Sequence, residues 1–328
     1  MASPGQSSLF NVFSELVSTT FRKHDKDVKD NVSKHNALFR RIMEKGLNRT
    51  EDGGLSIVKV LEYAQNSTYQ RYSGFDQLNI SAIDVLSAAE YPWRQVAVNV
   101  AASGLELRIN AGESRIINFV KAKVKNAMNS MKNGLSADIY SDGTAANQIN
   151  GLQALISDTG TGTVGGINST TFPFWQNVVQ SAASPIQGGG AITPGSATIE
   201  SLMLPTWMKC TRGQDTPDMV IFSDDYFTFF EQSQTSLKRY APEDTGQGGM
   251  ISMKYKTADV FFDSSGGIPS AHGYMVNSDF LELVSHRDAN MEVMDELRSV
   301  NQDACVIPLL WMGNIVCGAR FLQGVIKA

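Results

Sequence analysis

The residues with the clearest chemical pattern are the glycines of Gly160-Thr-Gly162-Thr-Val-Gly165, which match the dinucleotide-binding sequence G-x-G-x-x-G. That pattern holds a pyrophosphate when it opens a helix and an acidic residue about 20 positions later reaches the ribose. Here the next residues, 167–173, disfavour a helix, and no Asp or Glu lies between Asp158 and Glu200. The sequence therefore does not support a bound cofactor.

Residues that could ligate a metal or act as nucleophiles are scattered. The four histidines are isolated in sequence and the three cysteines are far apart in it; they are His24, His35, His272 and His286, and Cys210, Cys305 and Cys317. The sequence contains neither an H-E-x-x-H nor a G-x-S-x-G motif. Zinc sites, disulfide frameworks and hydrolase elbows all need closer spacings. We therefore predict no metal site, no catalytic residues and no enzymatic activity.

Two further candidates have simpler interpretations. His272 lies in the sequence Pro-Ser-Ala-His-Gly, which is typical of a surface turn. Asp224-Asp225 follows Ser223 and precedes a helical pattern, and carboxylates in a first turn interact favourably with the helix dipole. We interpret the pair as the start of a helix and not as a metal site.

Composition excludes other classes. The chain has 328 residues, 42% of them hydrophobic, a net charge of −5 and a pI near 5.5, unlike a dedicated nucleic-acid-binding domain. The charge is uneven, because residues 1–50 carry nine Lys/Arg against five Asp/Glu and residues 133–208 carry no Lys or Arg. The sequence has neither a signal peptide nor an apolar run long enough for a membrane span, and its unpaired cysteines fit a reducing cytoplasm.

A long helix near the middle organises the chain. Its apolar residues fall on one side, and Asn133-Gly134 predicts its end, so we expect a helix over 113–133; the apolar residues are Ile116, Ile117, Val120, Val124, Ala127, Met128 and Met131. Phe119 lies nearly opposite and needs cover from the fold or another subunit. Lys121, Lys125 and Lys132 form a basic stripe beside this apolar face.

Before this helix, residues 1–46 predict two helices whose narrow apolar stripes must pack on another body, either a neighbouring subunit or the same chain. The pattern of residues 51–110 indicates a long, extended segment. Alternation predicts one strand through Val96, Val98 and Val100 and another through Leu105, Leu107 and Ile109. Tyr63, Tyr69, Arg71 and Tyr72 favour an interface, although an ordinary hairpin with surface tyrosines remains the alternative.

The remainder predicts a mixed helix and strand region. A helix over 198–207 is interrupted by Pro205, a buried strand occupies 219–222, and Ser223 caps a helix that runs through Leu237. Short strands are expected at 251–255, 259–262, 274–276 and 281–284. Residues 305–325 predict two strands joined by a turn at Gly313-Asn314.

The order of these pieces resembles the major capsid proteins of tailed double-stranded DNA phages, which have the α+β Hong Kong 97 type fold. Four strings carry the resemblance: residues 91–96 (YPWRQV); 141–144 (SDGT) leading to 151–152; 162–167 (GTVGGI) with 174–175; and 258–263 (ADVFFD) with 273–276. The resemblance covers nearly the whole chain, and the order of the strings is more specific than any one of them.

This resemblance implies an N-arm at 1–50, an E-loop at 51–110, a P-domain at 111–150 and 296–328, and an A-domain at 151–295. It implies self-assembly into hexamers and pentamers of an icosahedral shell in the virion, after assembly in the host cytoplasm. Other implied partners are a portal, a separate scaffolding protein, decoration proteins and packaged DNA, with no membrane. The basic stripe of Lys121, Lys125 and Lys132 either faces this DNA or is a solvated helix face. The expected contacts between subunits are Tyr69, Arg71, Tyr72, Tyr91, Trp93 and Arg94.

Two other functions stay open. One is another virion structural protein, such as a tail or decoration component, and the other is a cytoplasmic nucleotide-binding enzyme. Some related capsid proteins are crosslinked through Lys and Asn; Lys59 is a conceivable donor, but nothing marks a partner. Removing residues 1–50, or replacing Arg71 and Trp93 by Ala, is expected to leave a folded subunit that assembles poorly.

Overall fold

The computed structural model describes residues 13, 16–17, 20, 37–81, 83–109, 113–234, 253–262, 267–295, 297–298 and 303–328. Leu237, residues 251–252 and the side chains of Ile116, Ile117 and Lys132 lie outside this described part. The fold is mixed α+β, as expected, with two main sheets and two β-ribbons. None of the described helices combines the length and apolar character needed to span a bilayer.

The central helix is longer than predicted. It spans Glu113–Asp138 and passes through Asn133-Gly134, so the predicted stop at this pair is wrong. The reason is packing, because the buried stripe of Val124, Ala127, Met128 and Met131 continues through Leu135. Phe119 is covered within its own chain, where it packs on the main core and the Lys123 ammonium lies 5.3 Å from its ring centre.

A five-stranded sheet packs beside this helix. Its strands are β1 (Asn48–Glu51), β4 (Arg94–Ser103), β12 (Leu281–Val293), β13 (Leu297–Arg298) and β14 (Ala304–Cys317). Strand β14 is central, with β12 antiparallel on one side and β4 antiparallel on the other, and β1 adds to β12 in parallel. The order β1-β12-β14-β4 therefore joins the beginning, the first third and the end of the chain in one sheet.

The predicted turn at Gly313-Asn314 is wrong, because β14 runs straight through it. A Cβ at Gly313 would lie 2.4 Å from the Val284 carbonyl oxygen and 2.7 Å from the Trp311 ring, so only glycine fits. The buried Asn314 amide donates to the Pro92 carbonyl and accepts from the Asn150 backbone N–H. The pair therefore serves close packing and an internal hydrogen-bond junction.

A six-stranded sheet forms the second main layer, in the order β7-β15-β11-β8-β10-β9. Its strands are β7 (Val178–Ser181), β8 (Met219–Phe222), β9 (Met253–Tyr255), β10 (Ala258–Phe262), β11 (His272–Val276) and β15 (Gly324–Lys327). The buried strand at 219–222 is confirmed, and β12 extends nine residues past its predicted end at Val284. A short 3-10 helix, Arg320–Leu322, leads from β14 into β15 and so links the two sheets.

In chain order the described α-helices are α1 (Ala37–Glu44), α2 (Gly104–Ile109), α3 (the central helix, Glu113–Asp138), α4 (Leu152–Leu155), α5 (Ile199–Cys210) and α6 (Asp224–Ser233). The strand predicted through Leu105–Ile109 is wrong, because α2 occupies it. Ser103 Oγ accepts from the Glu106 N–H at 3.2 Å and Glu106 Oε2 accepts from the Ser103 N–H at 3.1 Å. This reciprocal capping starts a helix despite the alternating apolar residues.

Helix α5 also departs from expectation, since Pro205 does not interrupt it. A proline removes the N–H that would bond the carbonyl four residues earlier, here that of Ser201. Gln187 Nε2 donates to this carbonyl at 3.1 Å and replaces the missing partner. Helix α6 begins with Asp224-Asp225 as predicted and is described as far as Ser233, and its predicted continuation to Leu237 falls outside the described residues.

Two β-ribbons lie against the body. Strands β2 (Ser56–Glu62) and β3 (Leu86–Pro92) form the first, and the short strands β5 (Thr163–Val164) and β6 (Ile167–Asn168) form the second. One face of the β2–β3 ribbon is buried through Ile57, Leu61, Ala89 and Tyr91. Two further 3-10 turns, Pro173–Trp175 and Ser278–Phe280, complete the described elements.

Candidate assembly surfaces

The glycine motif forms a hairpin turn and not a phosphate-binding loop. Gly165 and Gly166 have φ values of 59° and 76° and connect β5 to β6, so the motif does not open a helix. The Gly165 carbonyl accepts from the Glu90 N–H at 2.9 Å, and a Cβ at Gly165 would lie 2.9 Å from Ala89 Cβ. This glycine therefore lets the β5–β6 ribbon approach β3 closely.

His272 stands at the start of β11 and not in a free surface turn. Its Nδ1 lies 2.8 Å from the Ser270 carbonyl oxygen and its Nε2 lies 2.9 Å from Asp158 Oδ2. These contacts connect the loop before β5 to the six-stranded sheet, so the ring has a structural role.

The cysteines are buried and far from one another. Burial raises the pKa of Cys210 to about 12 and, despite a backbone hydrogen bond and nearby cations, that of Cys317 to about 11. Thiols of this kind are protonated near neutral pH and therefore poor nucleophiles or metal ligands. Among the described residues, no cluster of His, Cys, Asp and Glu has the grouping that a metal ion needs.

Tyr91, expected at a contact between subunits, is fully buried in its own chain. Its hydroxyl donates to the Cys317 carbonyl at 3.0 Å and accepts from the Cys317 N–H at 3.4 Å. Desolvation raises the pKa of this phenol far above its usual value. Tyr91 therefore binds the β2–β3 ribbon to the end of β14. The prediction that Tyr91 lies at a contact between subunits is wrong, because its side chain is buried inside its own chain.

Trp93 and Arg94 are half-buried at the base of the same ribbon. The Trp93 indole N–H donates to the Gly54 carbonyl at 3.0 Å, and its ring meets the His286 ring edge to face with centres 5.6 Å apart. These contacts lie within one chain. Replacing Trp93 by Ala would therefore loosen the ribbon itself and is not a clean test of assembly.

Tyr69, Arg71 and Tyr72 lie at the far end of the hairpin, and all three are exposed. Of the seventeen large apolar side chains exposed in the described part, nine lie between Leu55 and Leu86, including Tyr69 (82%), Phe75 and Ile80. Hydrogen bonds such as Gln70 to Gln77 and Thr68 to Asn66 stay within the segment 63–85. An apolar surface of this kind marks an interaction site. We call residues 64–84 the hairpin tip.

Neither family models nor curated protein sequences match this chain. Solved structures do. The capsid asymmetric unit of cyanophage A-1(L) aligns with a TM-score of 0.59 and 17% identity, over 87% of this chain and 92% of that chain. The capsid of the empty GTA particle aligns with a TM-score of 0.53 and 10% identity over 87% and 89%, and the capsid of Myoviridae phage XM1 with 0.52 and 9% over 87% and 90%.

The chain has the Hong Kong 97 type capsid fold. The alignments cover most of both chains, so the likeness concerns the whole architecture and not one shared module. Sequence reasoning predicted this fold from the order of elements, although several of the individual elements differ from those expected.

Within this capsid fold, the described part of the N-terminal segment packs on its own chain. Phe13, Val17, Leu38 and Ile42 are fully buried in the main core cluster. Arg41 of α1 and Lys45, which directly follows this helix, form ion pairs with Asp218 at 3.1 and 2.9 Å. Removing residues 1–50 would take away core residues and strand β1, so the expectation of a folded subunit is corrected.

The lysines of the central helix can now be placed. Lys121 and Lys125 are exposed one turn apart on α3, while the side chain of Lys132 lies outside the described part. Lys123 forms an ion pair with Glu106 at 3.6 Å. Lys59 lies on the inner face of the β2–β3 ribbon, where its ammonium pairs with Glu282.

Proposed function

We propose that the chain is the major capsid protein of a tailed double-stranded DNA phage, which self-assembles into hexamers and pentamers of an icosahedral shell. The observation that carries the proposal is the near-full-length likeness to three capsid structures. The proposed role is structural and non-enzymatic, needs no cofactor, and belongs to the virion after assembly in the host cytoplasm. A portal, a separate scaffolding protein and decoration proteins are proposed partners.

The domain limits follow from the strand pairing. We propose an N-arm at 1–50 and an E-loop that begins at residue 51. Because β4 and β12 both pair with β14, we assign them to the P-domain together with α3, which shortens the E-loop from 51–110 to 51–92. The A-domain then covers about residues 151–280 with α5 and α6, and its six-stranded sheet takes one strand, β15, from the end of the chain.

The hairpin tip is the proposed contact between subunits. Its exposed side chains include Tyr72, Phe75, Leu78 and Ile80, which in a free chain would face water. Burying an apolar side chain of this size is worth about 1.5–3 kcal/mol, so association of copies removes a substantial hydration penalty. Weak contacts of this kind, repeated in every copy, stabilise a closed shell.

Lys121 and Lys125 are proposed to face the packaged DNA, together with Lys132. The segment from residue 114 to 137 contains no Asp or Glu, and its polar residues are lysine, arginine, asparagine and serine only. Such a face attracts phosphates without reading sequence. Most of the packaged charge is neutralised by counterions, so this contact need not be strong.

Electron microscopy of the purified protein tests the proposal most directly. The expected result is closed particles of uniform diameter from the wild-type chain, and far fewer from a variant with Tyr69→Ser and Tyr72→Ser. Gln65→Ala, an exposed tip residue without a large apolar side chain, serves as the control and should assemble normally. Both variants should keep the circular dichroism spectrum and melting temperature of the wild-type subunit.

Other outcomes would identify the rival functions. A tail or decoration protein would give tubes, or would bind only to preformed particles, and would form no closed shell alone. A nucleotide-binding enzyme would stay a small oligomer whose melting temperature rises when nucleotide is added. Either result would refute the capsid proposal.

A further inference from the structure

The β2–β3 ribbon has an outer face that the described part of its own chain leaves open. Registered pairs Val58–Glu90, Val60–Ala88 and Glu62–Leu86 place these six residues on the side opposite Ile57 and Tyr91. All six are exposed, and Val60 retains 67% of its surface. The face therefore consists of an apolar centre with one carboxylate at each end; we call it the outer face.

The two carboxylates stand apart along the ribbon. Glu90 pairs with Val58 and Glu62 with Leu86, four residues further along β2. At about 3.4 Å per residue the acids are separated by roughly 14 Å, with Val58, Val60, Leu86 and Ala88 between them. A partner that fits this face presents apolar or aromatic side chains flanked by a cation.

The hairpin tip has this chemistry. Tyr69 and Tyr72 flank Arg71, and all three are exposed. Arg71 is the only cation between Lys59 and Arg94 in the sequence. Tyrosine and arginine are the residue types most often found at the energetic centre of protein interfaces. The tip also carries two exposed acids, Asp76 and Asp84, so the complementarity in polarity and charge belongs to the group of Tyr69, Arg71 and Tyr72 and not to the tip as a whole.

We infer that the hairpin tip of one copy docks on the outer face of the β2–β3 ribbon of a neighbouring copy. Tyr69 and Tyr72 cover the apolar centre, and Arg71 pairs with an acid at its end. The inference rests on the proposed shell function and names where the tip binds. It concerns a second copy because the exposure of Tyr69 and Val60 shows that no described residue of the same chain covers either surface.

The geometry of the contact determines how copies associate. The two surfaces differ and belong to the same hairpin, so each copy offers one tip and one outer face. Such a contact is heterologous and propagates from head to tail, which closes into a ring when the rotation between neighbours allows it. Rings of five and six copies are the units that the proposed shell requires.

Charge reversal tests the contact. Arg71→Glu places like charges together, and a loss of even 1.4 kcal/mol per contact changes an association constant about tenfold. We expect this variant to lower particle yield at least about tenfold. Combining Arg71→Glu with Glu62→Arg and Glu90→Arg restores opposite charges between copies and should return the yield to within about threefold of wild type. Arg71→Glu with Glu292→Arg, an exposed acid on β12, should not.

A mixture of variants provides a second measurement. Copies with Arg71→Glu and copies with Glu62→Arg plus Glu90→Arg each repel their own kind, but they complement each other in alternation. Sedimentation should show association in a one-to-one mixture and little association for either variant alone. All substitutions are at exposed positions, so each subunit should retain its melting temperature.

The outcomes separate this inference from the proposed function. Particles from wild type, with the triple variant as defective as Arg71→Glu and the mixture unassociated, would overturn the docking contact and leave the shell function standing. Normal assembly of Arg71→Glu would overturn it as well. Failure of the wild-type chain to form particles under any condition would instead count against the shell function.

Discussion

Arg320 is the most heavily bonded buried charge among the described residues, and replacing it should destabilise the subunit severely. Its Nε donates to the Leu155 carbonyl at 2.7 Å, its Nη1 to the Trp175 carbonyl at 2.9 Å and its Nη2 to Asn177 Oδ1 at 2.8 Å. The side chain is fully buried, and these acceptors are uncharged. One guanidinium therefore joins α4, the turn at 173–175 and the link between the two sheets.

The magnitude follows from the acceptors that lose their donor. Asn177 Oδ1 keeps a hydrogen bond from the Ser157 N–H, whereas the Leu155 and Trp175 carbonyls lose theirs. Leaving a buried acceptor without its donor costs about 1–3 kcal/mol, so the two carbonyls cost roughly 2–6 kcal/mol. Burial lowers the pKa of Arg320, which indicates a desolvation penalty that an apolar replacement would remove. We expect Arg320→Met to lower the free energy of unfolding by about 3–5 kcal/mol, a large part of the 5–15 kcal/mol typical of a domain.

Urea unfolding of the purified protein, followed by circular dichroism, measures the effect. Arg212→Ala is the matched control, because this exposed arginine lies 5.2 Å from the Phe321 ring, beside Arg320, and should contribute no more than about 1 kcal/mol. Arg320→Lys should not rescue stability, since an ammonium cannot reproduce the planar fork. If Arg320→Met unfolds within about 1 kcal/mol of wild type, the reasoning about this junction is wrong.

Two further predictions concern stability. Burial alone would raise the pKa of Asp218, but hydrogen bonds from Ser278 and the charge of Lys45 outweigh this effect and lower the pKa. The ionised carboxylate therefore stabilises the folded state at every pH above the unfolded pKa of about 3.9. This stabilisation is lost as pH falls through the lower pKa of the folded state. Asp218→Asn should reduce stability at pH 7, and the difference from wild type should shrink in acid unfolding curves; a constant difference would contradict the assignment. Gly313→Ala should destabilise the protein by about 1–3 kcal/mol through overpacking. Gly134→Ala, whose new methyl group would lie in open space on α3, should stabilise it by about 0.5–1 kcal/mol. Thermal unfolding measures both variants, and equal effects would refute this interpretation of Gly313.

The sequence predicted elements best where one periodic pattern decided the structure. The stripe from Val120 to Met131 predicted α3, and the continuous apolar run at 219–222 predicted β8. Local signals misled where packing or side-chain bonds override them. The Ser103-Gly-Leu-Glu106 sequence is a capping box, and recognising it would have predicted α2 in place of a strand.

Other errors could not be avoided from one sequence. Asn314 and Gly313 form a common turn dipeptide, and only the positions of Val284, Pro92 and Asn150 reveal that the pair is buried inside a strand. Similarly, the Ser201 carbonyl that Pro205 leaves without a donor is satisfied by Gln187, fourteen residues earlier in the sequence. Long-range partners of this kind depend on the completed fold and leave no local pattern.

Residue composition alone does not predict which residues of the hairpin are buried, whereas the alternation of side chains along its strands does. Tyr69 and Tyr91 are the same residue type in the same hairpin, yet Tyr69 is 82% exposed and Tyr91 is fully buried. Tyr91 lies opposite Ile57 in an antiparallel register, and every second residue from it shares the buried side. Tyr69 lies in the tip, where hydrogen bonds close short turns and no second layer covers the side chain. The same alternation that fastens the ribbon to its own chain through Tyr91 turns Val60 and Leu86 outward, so the surface left for another copy is a direct consequence of the intramolecular anchor.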